Sequence, residues 1–172
     1  ADEAQFRLAE LAFFSGRLDD ATALLDSIAL NLKADYANDA LDLSAFLREN
    51  ADALEALKRY GAAEFLARQR KNIEAITLFR EAIRNLPPSP LTEQGSLRVA
   101  FLQEEMGDAP AAIATYRELL ANPREGGRGD RIRLALAEAV DFGLRDRFSA
   151  IAEYEKLLAE TPGAIYAGLA RK

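Results

Sequence analysis

The sequence predicts an all-α protein built from antiparallel helix pairs, and three observations lead to this fold class. Apolar residues recur three and four positions apart along most of the 172-residue chain, which is the spacing of one face of an α-helix. Strand signals are missing, because no run sustains the alternation typical of β-strands. Short turn segments interrupt the helical pattern. We therefore expect about nine to ten helices and no sheet.

Four segments share one helical pattern. Each begins with alanine, has a large Leu, Phe or Tyr four residues on, and has Ala, Leu or Ile three residues further, so all three lie on one helix face. The segments are ATALLDSI from Ala21, AITLFREAI from Ala75, AIATYRELL from Ala112 and AIAEYEKLL from Ala150. The alanines are 54, 37 and 38 residues apart. A period in the thirties with two helices per unit is typical of an α-solenoid.

A turn and an earlier helical run precede each of these segments. Gly16 and Gly107 supply the backbone freedom that a tight turn needs. Asp108 is expected to cap the next helix, with Pro110 in its first turn. A proline follows each of the last three segments and ends its helix: Pro87, Pro123 and Pro162.

These units resemble tetratricopeptide repeats, in which a glycine marks the turn and alanine, an aromatic residue, alanine and proline follow in the second helix. The matching residues are Ala75, Phe79, Ala82 and Pro87, then Gly107, Ala112, Tyr116 and Pro123, then Ala150, Tyr154, Leu157 and Pro162, and more loosely Gly16, Ala21, Leu25 and Ile28. Arg145 stands where glycine is usual, and no unit has the family's tryptophan. The resemblance implies a right-handed α-solenoid of antiparallel helix pairs.

The spacing of 54 between the first two alanines exceeds the others by about one helix, which predicts an inserted helix. We expect a single domain over 1–172, with units at about 2–32, 51–87, 92–123 and 130–162, the inserted helix at about 37–49 and a terminal helix from about 163. The chain begins with alanine and is expected to be a processed form or a fragment, similar to the C-terminal repeat region of a larger bacterial protein of this family.

In the resembled family the first helix of each pair, helix A, lines a concave groove that binds a partner. Carried over by position, this implies eight partner-binding candidates: Phe6, Glu10, Phe13, Tyr60, Glu64, Leu97, Arg98 and Phe101. Aromatic and arginine side chains are the usual anchors of such contacts. The alternative is that the aromatic residues among them belong to the core, because their helical spacing fits both roles.

The stretch REGGRGD, from Arg124 to Asp130, is interpreted as a connector between two helices. Gly126 and Gly127 favour a turn, and Asp130 is expected to cap the helix that follows. A phosphate-binding loop would need Gly-Lys before Ser or Thr, and that motif is missing. A weaker hypothesis is an anion site at the four nearby arginines: Arg124, Arg128, Arg131 and Arg133.

Composition argues against catalysis, cofactors and metals. The chain has no cysteine and no histidine, so the commonest nucleophile, general base and metal ligands are missing. A net charge of −6 disfavours nucleic acid, and no apolar run is long enough to insert in a membrane. Residues 1–56 hold 12 acidic and 4 basic side chains, a net −8.

The function expected from the sequence is a protein-interaction scaffold that binds a peptide or helix in the groove. The alternative is a structural spacer or self-association segment of a larger repeat protein, with a homodimer formed through the terminal helix. The similarity to repeat lipoproteins of outer-membrane assembly favours a periplasmic or cell-envelope location over a cytoplasmic one.

Overall fold

A computed structural model describes residues 2–30 and 35–160, and within these ranges the chain forms nine α-helices and no strand. The helices are α1 Asp2–Phe14, α2 Leu18–Ala29, α3 Ala37–Glu49, α4 Leu54–Arg68, α5 Asn72–Ile83, α6 Pro90–Glu105, α7 Ala109–Ala121, α8 Gly129–Glu138 and α9 Arg147–Glu160. Helices that follow one another in pairs are in contact, which confirms the predicted all-α class of helix pairs. The chain divides into two compact units, Ala1–Asn85 and Leu86–Lys172.

In the first unit, α1 pairs with α2 and α4 pairs with α5, while α1 also contacts α4. Tyr60 lies at the centre of the aromatic core, with its ring 5.0 Å from Phe79, 5.1 Å from Phe46 and 6.3 Å from Phe13 between centroids. Gly61 lets α1 come close, because a Cβ there would stand 2.7 Å from the Phe13 carbonyl oxygen. The helix α3 occupies the residue range of the predicted inserted helix and contacts α2.

In the second unit, α6 pairs with α7 and α8 with α9, and α7 contacts α8. The core is made of small alanines set beside large side chains, as expected where helices approach closely. Its buried members are Ala100, Ala112, Ile113, Tyr116, Ile132, Leu136, Ala139, Val140 and Ala150. Two of these, Ala112 and Ala150, are alanines that anchor the sequence repeat, and both are at most 1 % exposed. The predicted repeat pattern is therefore a core pattern.

In each of the four repeats, the turn between the two helices has a residue in the left-handed conformation at the same position. Gly16, Arg70, Gly107 and Arg145 have φ of 76°, 61°, 78° and 57°, and each lies five positions before its anchoring alanine. In the third repeat, Gly107 donates its N–H to the Glu104 carbonyl at 2.9 Å, and Asp108 donates its N–H to the Gln103 carbonyl at 2.8 Å. This pair of bonds is the Schellman ending of a helix.

The turn of the fourth repeat contains one more residue than the turns of the other three repeats. Its first helix continues into a π-helical turn at Ala139–Gly143, and the Asp146 N–H then reaches the Val140 carbonyl at 3.2 Å. A π-turn of this kind accommodates one extra residue within a helix. Arg145 takes the left-handed position at which glycine is usual in the resembled family.

Helix starts show which capping predictions hold. The Asp108 carboxylate accepts the Ala111 N–H at 3.1 Å, with Pro110 in the first turn, so that prediction is confirmed. The prediction for Asp130 is wrong, because α8 begins at Gly129 and Asp130 lies inside it. Its carboxylate accepts only the neighbouring Arg131 N–H, at 2.8 Å. The predicted terminal helix from about 163 lies outside the described residues, as does Pro162.

Candidate functional site

The aromatic candidates of the first unit lie in its core. Phe6, Phe13 and Tyr60 are 7 %, 2 % and 6 % exposed. Phe6 stacks on Tyr36 with 5.2 Å between ring centroids, and Phe13 stacks on Tyr60. These three side chains hold the helices together and present little surface to a partner.

A partly exposed aromatic pair lies next to them, on the face shared by α1 and α4. Phe14 and Phe65 are 6.0 Å apart between ring centroids, and Phe65 is 41 % exposed. The Arg68 guanidinium lies 5.1 Å above the Phe14 ring, in a cation–π contact. We call Phe14, Phe65 and Arg68, together with Glu10, the α1–α4 face.

Glu10 organises the charges of this face. Its carboxylate is buried and accepts hydrogen bonds from Arg68 of α4 and, at 2.8 Å, from Arg7 of α1. The hydrogen bond and the negative charge of Glu10 raise the pKa of the partly exposed Arg7. The candidate Glu64 is partly buried one turn before Arg68 on α4. The two arginines thus meet a single carboxylate, which fixes Arg68 over the Phe14 ring.

The three candidates of the second unit lie on α6 and come together on one stripe. Phe101 is 47 % exposed, and the Arg98 guanidinium lies 5.3 Å from its ring centroid. Leu97 is partly buried and packs against the core of this unit. We call these residues the α6 face.

The two faces share one kind of contact, which joins α4 to α1 in the first unit and lies within α6 in the second. In each, an arginine on a first helix covers the ring of a partly exposed phenylalanine at about 5 Å. Phe14 and Phe65, which sequence reasoning missed, are the chain neighbours of two candidates, Phe13 and Glu64. Adjacent helix residues point about 100° apart, so a one-residue difference separates the core from the surface.

A buried tyrosine of the second unit, Tyr116, is hydrogen-bonded to a carboxylate of α6. The Tyr116 hydroxyl donates a 2.5 Å hydrogen bond to Glu104, the last turn of α6. Burial, the hydrogen bond to Glu104 and the negative charge of Glu104 raise the pKa of Tyr116 well above its ordinary value. Burial and the charge of Glu104 likewise raise the pKa of Glu138. Glu104 and Glu138 therefore lie close enough to interact, at the ends of α6 and α8.

The four arginines of the predicted anion site lie in different surroundings. Arg124 lies 3.4 Å from the Glu93 carboxylate. Arg133 is within 2.5 Å of Glu160 and 3.8 Å of Glu153. Arg128 and Arg131 are exposed. Two of the four arginines are thus paired with carboxylates, which lowers the net positive charge of the cluster. The anion site stays a prediction.

Residues 2–30 and 35–160 bring together no group of three or more side chains suited to hold a metal ion. Within the same ranges, every helix is too short or too polar to cross a lipid bilayer.

Comparison with known families matches one segment of the chain. Residues 95–123 fit the family model of the tetratricopeptide repeat, which confirms the predicted resemblance there. The match covers most of α6, the turn at Gly107 and all of α7. Repeats of this family in general mediate contacts between proteins and are not themselves enzymes. Neither the curated proteins nor the solved structures gave a match.

Proposed function

We propose that this chain, which carries a tetratricopeptide repeat at residues 95–123, binds a peptide or helix of a partner protein on the faces of its first helices. The observation that supports the proposal is the arginine–phenylalanine pair on both the α1–α4 face and the α6 face. Two units that differ in sequence carry the same kind of anchor on the same class of helix.

The chemistry of these pairs suits recognition. Aromatic and arginine side chains contribute most of the binding energy at protein interfaces, and both types are enriched there. Each guanidinium is already held over its ring, and Arg68 is also held by Glu10, so a partner orders fewer side chains on binding. An apolar side chain of the partner would cover the ring while its acidic groups meet the guanidinium.

A second candidate function, self-association or a spacer role in a larger repeat protein, is favoured by a different surface. Around the turn before α9, Phe142 and Phe148 are 74 % and 90 % exposed, and Ile151 is 54 % exposed. Apolar patches of this kind often mark contacts between proteins. In this role the surface would be covered by another repeat or another copy of the chain.

We infer that the chain acts without catalysis, cofactor, metal or nucleic acid, because it lacks histidine and cysteine and is acidic. We also propose a periplasmic or cell-envelope location.

The experiment that tests the proposal is selection of peptides from a displayed random library on the full chain, followed by affinity measurement for the enriched peptides. Three variants probe the two faces: Phe65→Ala, Arg98→Glu and Phe101→Ala. We expect one face to lose about tenfold or more in affinity on substitution, as an interface anchor does. The control is Phe148→Ala, which removes a still more exposed phenylalanine from the second helix of a pair: Phe148 is 90 % exposed, against 41 % for Phe65 and 47 % for Phe101.

The outcome decides between the two functions. Loss of affinity in the face variants with retention in Phe148→Ala supports binding on the first helices. Loss in Phe148→Ala alone, or concentration-dependent dimerisation that this variant abolishes, would move the function to self-association.

A further inference from the structure

A small cavity lies in the second unit, away from the α6 face. It has a volume of about 150 Å³ and is enclosed by the start of α6, the end of α7 and the loop that leads to α8. Leu119, Leu120 and Ile132 give it an apolar wall. Among its lining residues only Glu93 and Arg124 are charged, so the cavity carries no net charge.

Glu93 is the buried polar group of this cavity. The residue is 5 % exposed, and the loop closes over one of its oxygens. That oxygen, Oε2, accepts the Arg128 N–H at 3.2 Å and lies 3.4 Å from Arg124 Nε. The loop approaches so closely at Gly127 that a Cβ there would stand 2.5 Å from Oε2.

Two atoms of the ion pair lack a hydrogen-bond partner among the described residues. They are the second oxygen, Glu93 Oε1, and the nitrogen Arg124 Nε, and both are buried. Other polar groups of the lining are engaged. Ser89 and Thr92 bond to each other in the capping box of α6, and the Asn122 side chain donates to the Glu118 carbonyl at 3.2 Å. Buried polar groups are rarely left in this state, which points to a missing ligand.

The chemistry of the missing ligand follows from these two atoms. A carboxylate oxygen needs a donor, and an arginine nitrogen needs an acceptor. Because the pair is neutral as a whole, a cation would be repelled by Arg124 and an anion by Glu93. A neutral carboxamide offers both an N–H and a carbonyl oxygen within one flat group.

We propose that this cavity binds one carboxamide group. The N–H of the ligand donates to Glu93 Oε1, its carbonyl oxygen accepts from Arg124 Nε, and its aliphatic part lies against Leu119 and Ile132. A cavity of this size admits a group as large as benzene, so a short amide fits. The site goes beyond the proposed function, since it uses neither face and stands whether or not those faces bind a partner.

The test is titration of the full chain, labelled with ¹⁵N, with four small probes followed by NMR. Acetamide represents a side-chain amide and N-methylacetamide a peptide group, so the pair separates these two sources. Acetate and methylammonium are the charged controls of similar size. We expect saturable shifts of the Arg124 Nε–H and of the Gly127 and Arg128 amides with at least one amide, and none with either ion.

Two substitutions and one control locate the binding. Glu93→Gln keeps the size but removes the charged acceptor, and Arg124→Lys keeps the charge but removes Nε–H. Each is expected to weaken the amide about tenfold, the loss of one charge-assisted hydrogen bond. Glu125→Gln, an exposed carboxylate on the same loop, should leave the affinity unchanged. Arg124→Lys decides the matter where Glu93→Gln does not fold.

Three results would overturn the proposal. The first is the absence of saturable shifts with both amides. The second is an equal response to acetate or methylammonium. The third is a cavity that holds an ordered water on Glu93 Oε1 which millimolar amide does not displace, since the two atoms would then be satisfied by solvent.

Discussion

Gly127 shows how a single side chain would disturb the loop between α7 and α8. A Cβ at this position meets Glu93 Oε2 at 2.5 Å and the Arg124 carbonyl at 3.0 Å, so the loop and the buried carboxylate must move apart. We expect Gly127→Ala to lower the free energy of unfolding by about 2 kcal/mol, as overpacking does. Urea denaturation measures this.

Gly129→Ala is the matched control for that loss. A Cβ there meets nothing within 4 Å, and Gly129 is the first residue of α8. Alanine favours helix over glycine, so this variant should be neutral or more stable by up to about 0.5 kcal/mol. Equal losses in both variants would show that the contact with Glu93 does not restrain the loop.

Tyr116 makes stability depend on alkaline pH. Its pKa is raised in the folded state by burial and by Glu104, whereas the unfolded chain releases the proton near the ordinary value of 10.0. The folded state therefore binds the proton more tightly, and its contribution is present below about pH 10 and lost as pH rises above it. Absorbance at 295 nm should show at least one tyrosine that fails to ionise until the chain unfolds.

Tyr116→Phe tests the same residue by removal. The variant should lose about 1 kcal/mol at pH 7, the net value of a buried hydrogen bond, and the difference from the parent chain should shrink above pH 10. A parent chain in which all five tyrosines ionise near pH 10 while folded would contradict the assignment.

At the scale of elements, the two aspartates near the starts of α7 and α8 have different roles. Asp108 accepts the Ala111 N–H as a cap, whereas Asp130 lies inside α8 and accepts only from its neighbour. We expect Asp108→Ala to cost about 1 kcal/mol and Asp130→Ala less than about half of that. Thermal unfolding of the two variants side by side provides the measurement, and a larger loss for Asp130→Ala would reverse the assignment.

The sequence predicted the helices better than it predicted their surfaces. Helices depend on local spacing, and the alanines at 21, 75, 112 and 150 sit in the core as that spacing requires. Phe13 and Phe14 are adjacent aromatics, and only the contact of α1 with α4 decides which of them faces the core. The Asp130 prediction failed at a loop that is held from a distance: the Glu93 carboxylate accepts the Arg128 N–H, and these two residues are 35 positions apart. Long-range contacts of this kind leave no local signal.

At the scale of the whole molecule, the division into two compact units makes a prediction about folding. Residues 86–172 contain their own buried core, including Leu136 at 2 % exposed. We expect this fragment, expressed alone, to be helical by circular dichroism and to unfold cooperatively in urea, as domains of this size do. Leu136→Ala should remove about 2–5 kcal/mol and with it the cooperative transition. A fragment that melts without cooperativity would contradict the prediction.

The left-handed turn residue at 16, 70, 107 and 145 has a consequence for how such a chain can change over generations. The interval from this residue to the anchoring alanine is five positions in every repeat. Gene recombination between the turns at 70, 107 and 145 would therefore insert or delete a complete helix pair and leave every helix whole, whereas the interval from 16 to 70 also contains α3. The array can grow or shrink by duplication at these points, and arginine at this positive φ carries a backbone strain that glycine avoids.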